Sequence, residues 1–145
     1  MKLLTFYSES HEKMYNDYFL RSFNEHLSDS FKLIPKKIEQ ISKRGGFGDK
    51  GFEETMFEKI KHIISNIDVD SDEPMVFADC DIQFLKGFSE DILTELGDND
   101  ISFQNDVLCV CAGFFITKQN DKTKSFFENV LSIRPPLPSF SKYLI

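Results

Sequence analysis

Four consecutive apolar residues, Met75-Val76-Phe77-Ala78, run directly into Asp79-Cys80-Asp81, and this junction constrains the chain more than any other stretch. A short continuous apolar run bounded by turn residues reads as a strand buried on both faces. Such a strand needs covering elements on each side, so the chain has to be layered. Two carboxylates one residue apart at the strand's end form a hard, oxygen-rich half-site suited to Mg²⁺ or Mn²⁺. In open α/β sheets, ligands bind at the carboxyl ends of strands. The same spacing also fits a plain acidic turn, and spacing alone does not separate the two.

The rest of the pattern supplies the layers. Lys2–Tyr7 is a β-like run, followed by Tyr15, Phe19, Phe23 and Leu27 at every fourth position, the mark of an amphipathic helix. Residues 31–38 suggest a second strand, demoted to an edge by Pro35, which cannot donate to a ladder. Met56, Phe57, Ile60, Ile63, Ile64 and Ile67 share one helical face, opposite Glu58, Lys59, Lys61 and His62. The strand before Asp79 comes next, with the apolar Ile82-Gln83-Phe84-Leu85 beyond it. Ser89 is a candidate N-cap for a short helix stopped by Gly97. Strand-like runs at 101–104 and 107–116 precede a last helix over 122–131. Strands alternating with helices predict an α/β layered, Rossmann-like α/β/α domain with a mainly parallel central sheet. Residues 1–131 form that domain, and 132–145 a Pro-rich tail.

At 145 residues the chain has room for one core. With 41% hydrophobic and 28% charged residues it is a soluble globule rather than a disordered chain. Sixteen Phe and no Trp make phenylalanine the core's main aromatic. A net charge of −7 leaves no broad basic field for a polyanionic backbone, which excludes generic nucleic-acid binding. A phosphate ligand would need a local cation. The N-terminal run turns polar at Ser8, well short of a signal peptide, and no apolar stretch is long enough to span a bilayer. A cytoplasmic location is the expectation. Cys80, Cys109 and Cys111 lie in apolar segments and read as reduced core thiols. The Phe-heavy composition and Pro-rich end leave room for an apolar patch that a second copy could cover as a homodimer.

The segment EPMVFADCDIQFLKGF resembles the DxD region of the GT-A nucleotide-diphospho-sugar transferases, the DxD glycosyltransferases. Downstream, CAGFFITKQNDKTKSFFENV is similar to the family's stretch and following helix on the acceptor side. FEKIKHIISNI lies where the family has a lysine-bearing helix before the acids. The resemblance covers roughly residues 2 to 131. It implies metal-dependent transfer of a sugar from a nucleotide-sugar donor to a hydroxyl acceptor, saccharide or protein, with Mn²⁺ or Mg²⁺ as cofactor. Carried over, Asp81 coordinates the cation bridging the phosphates, and Asp79 completes the pair or faces the ribose. Tyr7 and Ser8 stand where the family holds the nucleotide base, and Lys59 where a lysine reaches the donor. Cys111, Ala112 and Gly113 fall on the acceptor side, with Gly113 letting a sugar approach the backbone. Cys111 replaces an Asn common in relatives. A later acidic or His residue that often completes the family's metal shell has no counterpart after Leu131. The chain is then a piece of a longer one, a minimal or decayed relative, or completed by a partner. A shortened, non-catalytic GT-A module that binds a nucleotide sugar or a protein is the alternative.

Other motifs carry less. Gly46 to Gly51 match G-x-G-x-x-G but follow a polar segment instead of the first strand; a lid over the donor site is the functional reading, a plain flexible loop the other. Asp68, Asp70 and Asp72 mimic a calcium loop, yet Glu73 stands where glycine is required. DCDIQ is similar to the haloacid dehalogenase nucleophile motif, except that Gln83 stands where Thr or Val is wanted. His11, His26 and His62 have no zinc spacing and read as surface residues.

Overall fold

The computed structural model describes residues 1–43, 48–105 and 110–133. Five strands form one sheet: β1 (Lys2–Tyr7), β2 (Lys32–Lys37), β3 (Met75–Ala78), β4 (Ile101–Asn105) and β5 (Val110–Thr117), in the order β2-β1-β3-β5-β4. β1 pairs in parallel with both β2 and β3, whereas β5 is antiparallel to β3 and β4. Four strands therefore point one way and β5 alone is reversed, which makes a mixed sheet of mainly common direction. Pro35 lies on β2, an edge strand, where its missing N–H costs least.

Both faces of the sheet are covered. One face carries Leu3, Val76, Ala78 and Ile116 against Tyr15, Phe19, Phe23 and Leu27. The first three of these belong to a continuous helical stretch, α1, which passes through Glu9–His11, Glu12–Met14, a π-helical turn over Tyr15–Leu20, and Arg21–His26, and Leu27 is its C-cap. A short helix, α3 (Ile92–Leu96), packs on the same side through Ile92 and Leu96. It begins after Asp91, which makes no side-chain cap, so Ser89 is not its cap; Gly97 ends it at φ +51° as expected. The opposite face carries Leu4, Phe6, Met75, Phe77 and Phe115 against Ile63 and Phe127, from α2 (Phe52–Asn66) and α4 (Asp121–Ser132). Asn120 caps α4, accepting from the Thr123 amide at 2.9 Å.

Phenylalanine knits the second face. Phe77 and Phe115 are register partners stacked at 5.3 Å; Phe115 meets Phe103 at 5.3 Å and Phe127 at 5.5 Å, and Phe6 adjoins Phe77 at 6.2 Å. This ladder crosses four adjacent strands. Each buried ring contributes about 1.5–3 kcal/mol of transfer free energy, with offset pairs adding to that.

Three expectations change. Residues 82–85 do not resume a strand: they leave the sheet through a turn in which the Ile82 amide donates to the Asp79 carbonyl at 3.1 Å. The expected strand over 107–116 is seen from Val110, residues 107–109 lying outside the described residues, as do Gly46 of the glycine motif, Cys109 and all of the tail beyond Ile133. The polar face of α2 is not solvated throughout, since Lys59 and His62 are 5% and 6% exposed. Each is held by a partner from another element: Lys59 by Asp79 and the Ala112 carbonyl, His62 by the Ile34 carbonyl. Among the described residues no helix is long and apolar enough to cross a membrane.

Burial of His62 has a consequence for pH. Nε2 donates to the Ile34 carbonyl at 3.1 Å and Nδ1 accepts from the Asn66 amide at 3.2 Å, so the neutral Nε2–H ring satisfies both partners. Burial holds its pKa below the usual histidine value. Above the unfolded value of about 6.5 the ring is neutral in both states and its contribution is intact; below it, the unfolded chain takes up a proton that the folded chain resists. Urea midpoints measured from about pH 7.5 down to about pH 5 are expected to fall, and His62→Gln to flatten that limb. An unchanged slope in the variant would remove His62 as its source.

Candidate functional site

The crevice follows from strand order. The chain leaves β1 for β2 on one side and then crosses to β3 on the other, which makes the carboxyl ends of β1 and β3 a topological switch point. Tyr7 and Ser8 end or follow β1, and Asp79, Cys80 and Asp81 follow β3. These five residues line one cavity of about 220 Å³. The structure thus brings together two segments more than seventy residues apart in the chain, the two on which the resemblance implied a donor site.

Asp79 is held from three sides. Its amide donates to the Gly113 carbonyl at 2.7 Å, extending the β3–β5 pairing by one residue. Its Oδ1 accepts from Lys59 Nζ at 2.9 Å, and the same ammonium donates to the Ala112 carbonyl at 2.8 Å. Nζ also lies 4.4 Å from the centre of the Phe77 ring and 5.9 Å from that of Phe6. Lys59 is therefore a buried cation satisfied by one carboxylate, one carbonyl and two aromatic faces. Its position on α2, one helical turn before Ile63, places it over the ends of β3 and β5.

Oδ2 of Asp79 occupies the space where Gly113 lacks a side chain: a Cβ there would lie 3.0 Å from Oδ2 and 3.3 Å from Cys111 Sγ. Glycine at 113 thus makes room for this chain's own carboxylate, where the resemblance implied an approach for sugar. Ala112 contributes its carbonyl to Lys59, and Cys111 sits half-buried as a free thiol beside them. Because β5 is antiparallel, its first half rather than its end adjoins Asp79.

The electrostatics are those of an acid pair with one counter-ion. Burial raises the Asp79 pKa above the usual carboxylate range, Lys59 opposes the rise, and the charge of Asp81 adds to it. Burial, assisted by the two neighbouring carboxylates, pushes the Cys80 thiol up to about 12, so it packs as an inert thiol. Asp81 is exposed and makes no hydrogen bond or ion pair among the described residues. Tyr7 stacks one face on Tyr15, with centroids 4.1 Å apart and planes at 9°, and borders the cavity. Ser8 is 6% exposed and shares a 3.3 Å contact with Ser10 Oγ.

Sequence reasoning missed five lining residues: Phe6, His11, Phe52, Thr55 and Met56. His11 is no bystander on a polar face; its Nδ1 meets Ser10 Oγ at 2.8 Å at the start of α1. Phe52, Thr55 and Met56 form the first turns of α2, entered through Gly51 at φ +89°. A Cβ at Gly51 would strike the Ile41 carbonyl oxygen at 2.7 Å, which explains this glycine of the Gly-rich segment. The signal available was that helix start, since Lys59 and the cavity-lining Thr55 are one turn apart.

The brace makes a stability prediction. Asp79→Ala leaves Lys59 buried without its carboxylate and is expected to cost about 3 kcal/mol in urea unfolding, the lower end for breaking a buried pair because Asp79 is 34% exposed. The double variant Lys59→Met, Asp79→Asn is expected to recover most of that loss. Equal stability of Asp79→Ala and the wild-type chain would show that the pair holds nothing.

No family model matches the sequence, and no curated protein matches it. Among solved structures, the chain is similar to the galactosyltransferase LgtC in complex with donor and acceptor sugar analogues: TM-score 0.59, 13% identity, covering 93% of this chain and 67% of that one. An active-site mutant of LgtC gives a TM-score of 0.57 at 12% identity, covering 92% of this chain and 60% of that one. The chain thus spans about two thirds or less of the structures it matches. The likeness is one of fold, an α/β fold of glycosyltransferase type.

Proposed function

We propose that this chain binds a nucleotide-diphospho-sugar at the ends of β1 and β3 through a divalent cation, and transfers the sugar to a hydroxyl acceptor. The observation that carries the reading is the meeting of Asp79 and Asp81 with Tyr7 and Ser8 in one crevice at the switch point of a glycosyltransferase-like fold. Transfer by this chain alone belongs to the proposal, given the shorter length.

The residues fit a cation shared with a ligand. Among the described residues, Asp81 has no hydrogen-bond or ion-pair partner and Asp79 Oδ2 accepts no hydrogen bond, so each acid keeps a hard oxygen donor. Their mutual repulsion, which helps raise the Asp79 pKa, is relieved by a positive charge. No group of three or more His, Cys, Asp and Glu side chains among the described residues could hold a metal by itself. The remaining positions suit phosphate oxygens, as for Mn²⁺ or Mg²⁺ in phosphate-bearing sites. When bound, the cation would neutralise the diphosphate and stabilise charge on the leaving group.

This chain's own side chains do the positioning. Lys59 is fully engaged by Asp79 and Ala112, so it acts on the donor through the aim of the Asp79 carboxylate and not by contact with phosphate. Tyr7, stiffened by Tyr15, offers an aromatic wall for a base. The first turns of α2 border the cavity and present the helix end that favours anions. Phe52 and Met56 supply apolar lining that limits water.

Calorimetric titration with UDP and GDP, with and without Mn²⁺, is expected to show binding only with the metal, and Asp81→Asn to weaken it at least about tenfold, or about 1.4 kcal/mol. Metal-dependent binding unaffected by Asp81→Asn would overturn the reading. Gly113→Ala is expected to weaken the same binding by displacing Oδ2; affinity equal to that of the wild-type chain would mean that the placement of Asp79 is immaterial.

The lack of a third protein ligand among the described residues favours a second reading, a non-catalytic module that binds a nucleotide sugar or a protein partner. Steady release of UDP from UDP-hexose in the presence of Mn²⁺ by the wild-type chain, lost in Asp81→Asn, would eliminate it.

A further inference from the structure

The two edges of the sheet are built differently. β2, at one edge, carries Lys32, Pro35, Lys36 and Lys37, and lysine and proline are the residues that keep an edge strand from pairing with another chain. β4, at the other edge, reads Ile-Ser-Phe-Gln-Asn and has neither. Its register with β5 jumps between Phe103 and Gln104, which pair with Phe115 and Cys111, so the extra residues belong to β5 and β4 runs without an insertion. The Lys118 amide donates to the Asp100 carbonyl at 2.9 Å. Antiparallel pairs alternate, so Ser102 also faces β5, while the N–H and C=O groups of Ile101 and Phe103 point out of the sheet. Among the described residues no strand pairs with that edge.

An apolar helix stripe lies beside it. Phe126, Val130 and Ile133 recur at i, i+4 and i+7 along α4 and its C-cap, and are 42%, 36% and 66% exposed. The Phe126 ring is 6.4 Å from that of Phe103, so stripe and strand form one face. Neither element brings a charge to that face, and Lys122 at its margin is paired with Asp100 at 3.5 Å.

We infer that this face joins two copies of the chain. β4 pairs antiparallel with β4 of the second copy across a two-fold axis perpendicular to the sheet, and the two α4 stripes meet on one side of it. Self-complementarity selects a second copy, because an antiparallel edge pairs with itself about a two-fold and needs no other sequence. Charge selects it too: each copy carries −7, which opposes contact through charged surface and leaves an uncharged face as the place to meet. Size sets the strength. Strand and helix are each about 17–18 Å long and together about 15 Å across, which keeps the interface under the roughly 1,200 Å² of standard stable complexes. The dimer is therefore weak and reversible, with a micromolar dissociation constant, and it forms whether or not sugar is transferred.

The test is sedimentation velocity of the full chain across the micromolar range, with amide hydrogen exchange read at Ile101 and Phe103 at both ends of that range. A monomer–dimer equilibrium is expected, with slower exchange of both amides at high concentration. The double variant Val130→Lys, Ile133→Lys should weaken the dimer at least about tenfold while keeping a cooperative thermal transition. Should it fail to fold, Ile133→Lys alone, at the exposed end of the helix, should still weaken the dimer at least about threefold. Leu85→Lys, an exposed apolar position outside the face, should leave it unchanged. A chain that stays monomeric throughout overturns the dimer. Amide protection that does not change with concentration also overturns it, because the edge is then held within one chain, as residues 134–145 could do. A dimer that the lysine variants form with wild-type affinity would place the contact elsewhere and remove this face.

Discussion

One buried cation holds the site together. Lys59 Nζ joins the helix that precedes the acids to the end of β3 through Asp79 and to β5 through the Ala112 carbonyl. Removing an ammonium from water is costly, and the cost is met only because a carboxylate, a carbonyl and two phenylalanine faces converge on it. The same convergence fixes one oxygen of Asp79 and directs the other toward Gly113, so the local geometry of α2, β3 and β5 is set by a single charge.

That charge lies on a framework with little freedom to adjust. The Phe6, Phe77, Phe115 and Phe103 rings cross adjacent strands under α2 and α4, and close packing transmits displacement of one ring to the next. Reversal of β5 matters as much. A parallel β5 would bring its own carboxyl end beside β3, whereas the antiparallel strand brings Ala112 and Gly113. The acidic pair is therefore framed by backbone of β5 on one side and by the crevice on the other.

Much of this was legible in the residues. The four-residue apolar run before Asp79, the fourfold spacing of Tyr15, Phe19, Phe23 and Leu27, and the edge position of Pro35 each follow from local period or from a missing donor, and each stands in the fold. The pairing of Tyr7 and Ser8 with the acids came from the resemblance, and the sheet places them in one cavity. Less legible were the residues whose role depends on distant partners. His62 and Lys59 look solvated by helical period, yet each is buried because a partner from another element satisfies it: the Ile34 carbonyl for one, Asp79 for the other. Ile82 and Leu85 look strand-like, but the chain turns away after Asp79, with Phe84 buried, Ile82 half-buried against the core and Leu85 outside.

By itself, then, the sequence determined the layered α/β class, the order of its elements and the placing of two acids after a buried strand, because these depend on hydrophobic period and chain adjacency. Only the tertiary structure decided that β5 runs backwards, that Gly113 houses a carboxylate, and that Lys59 is an internal counter-ion. Those are long-range outcomes: strand direction, close approach and charge compensation depend on which segments meet in space, and no local pattern encodes them.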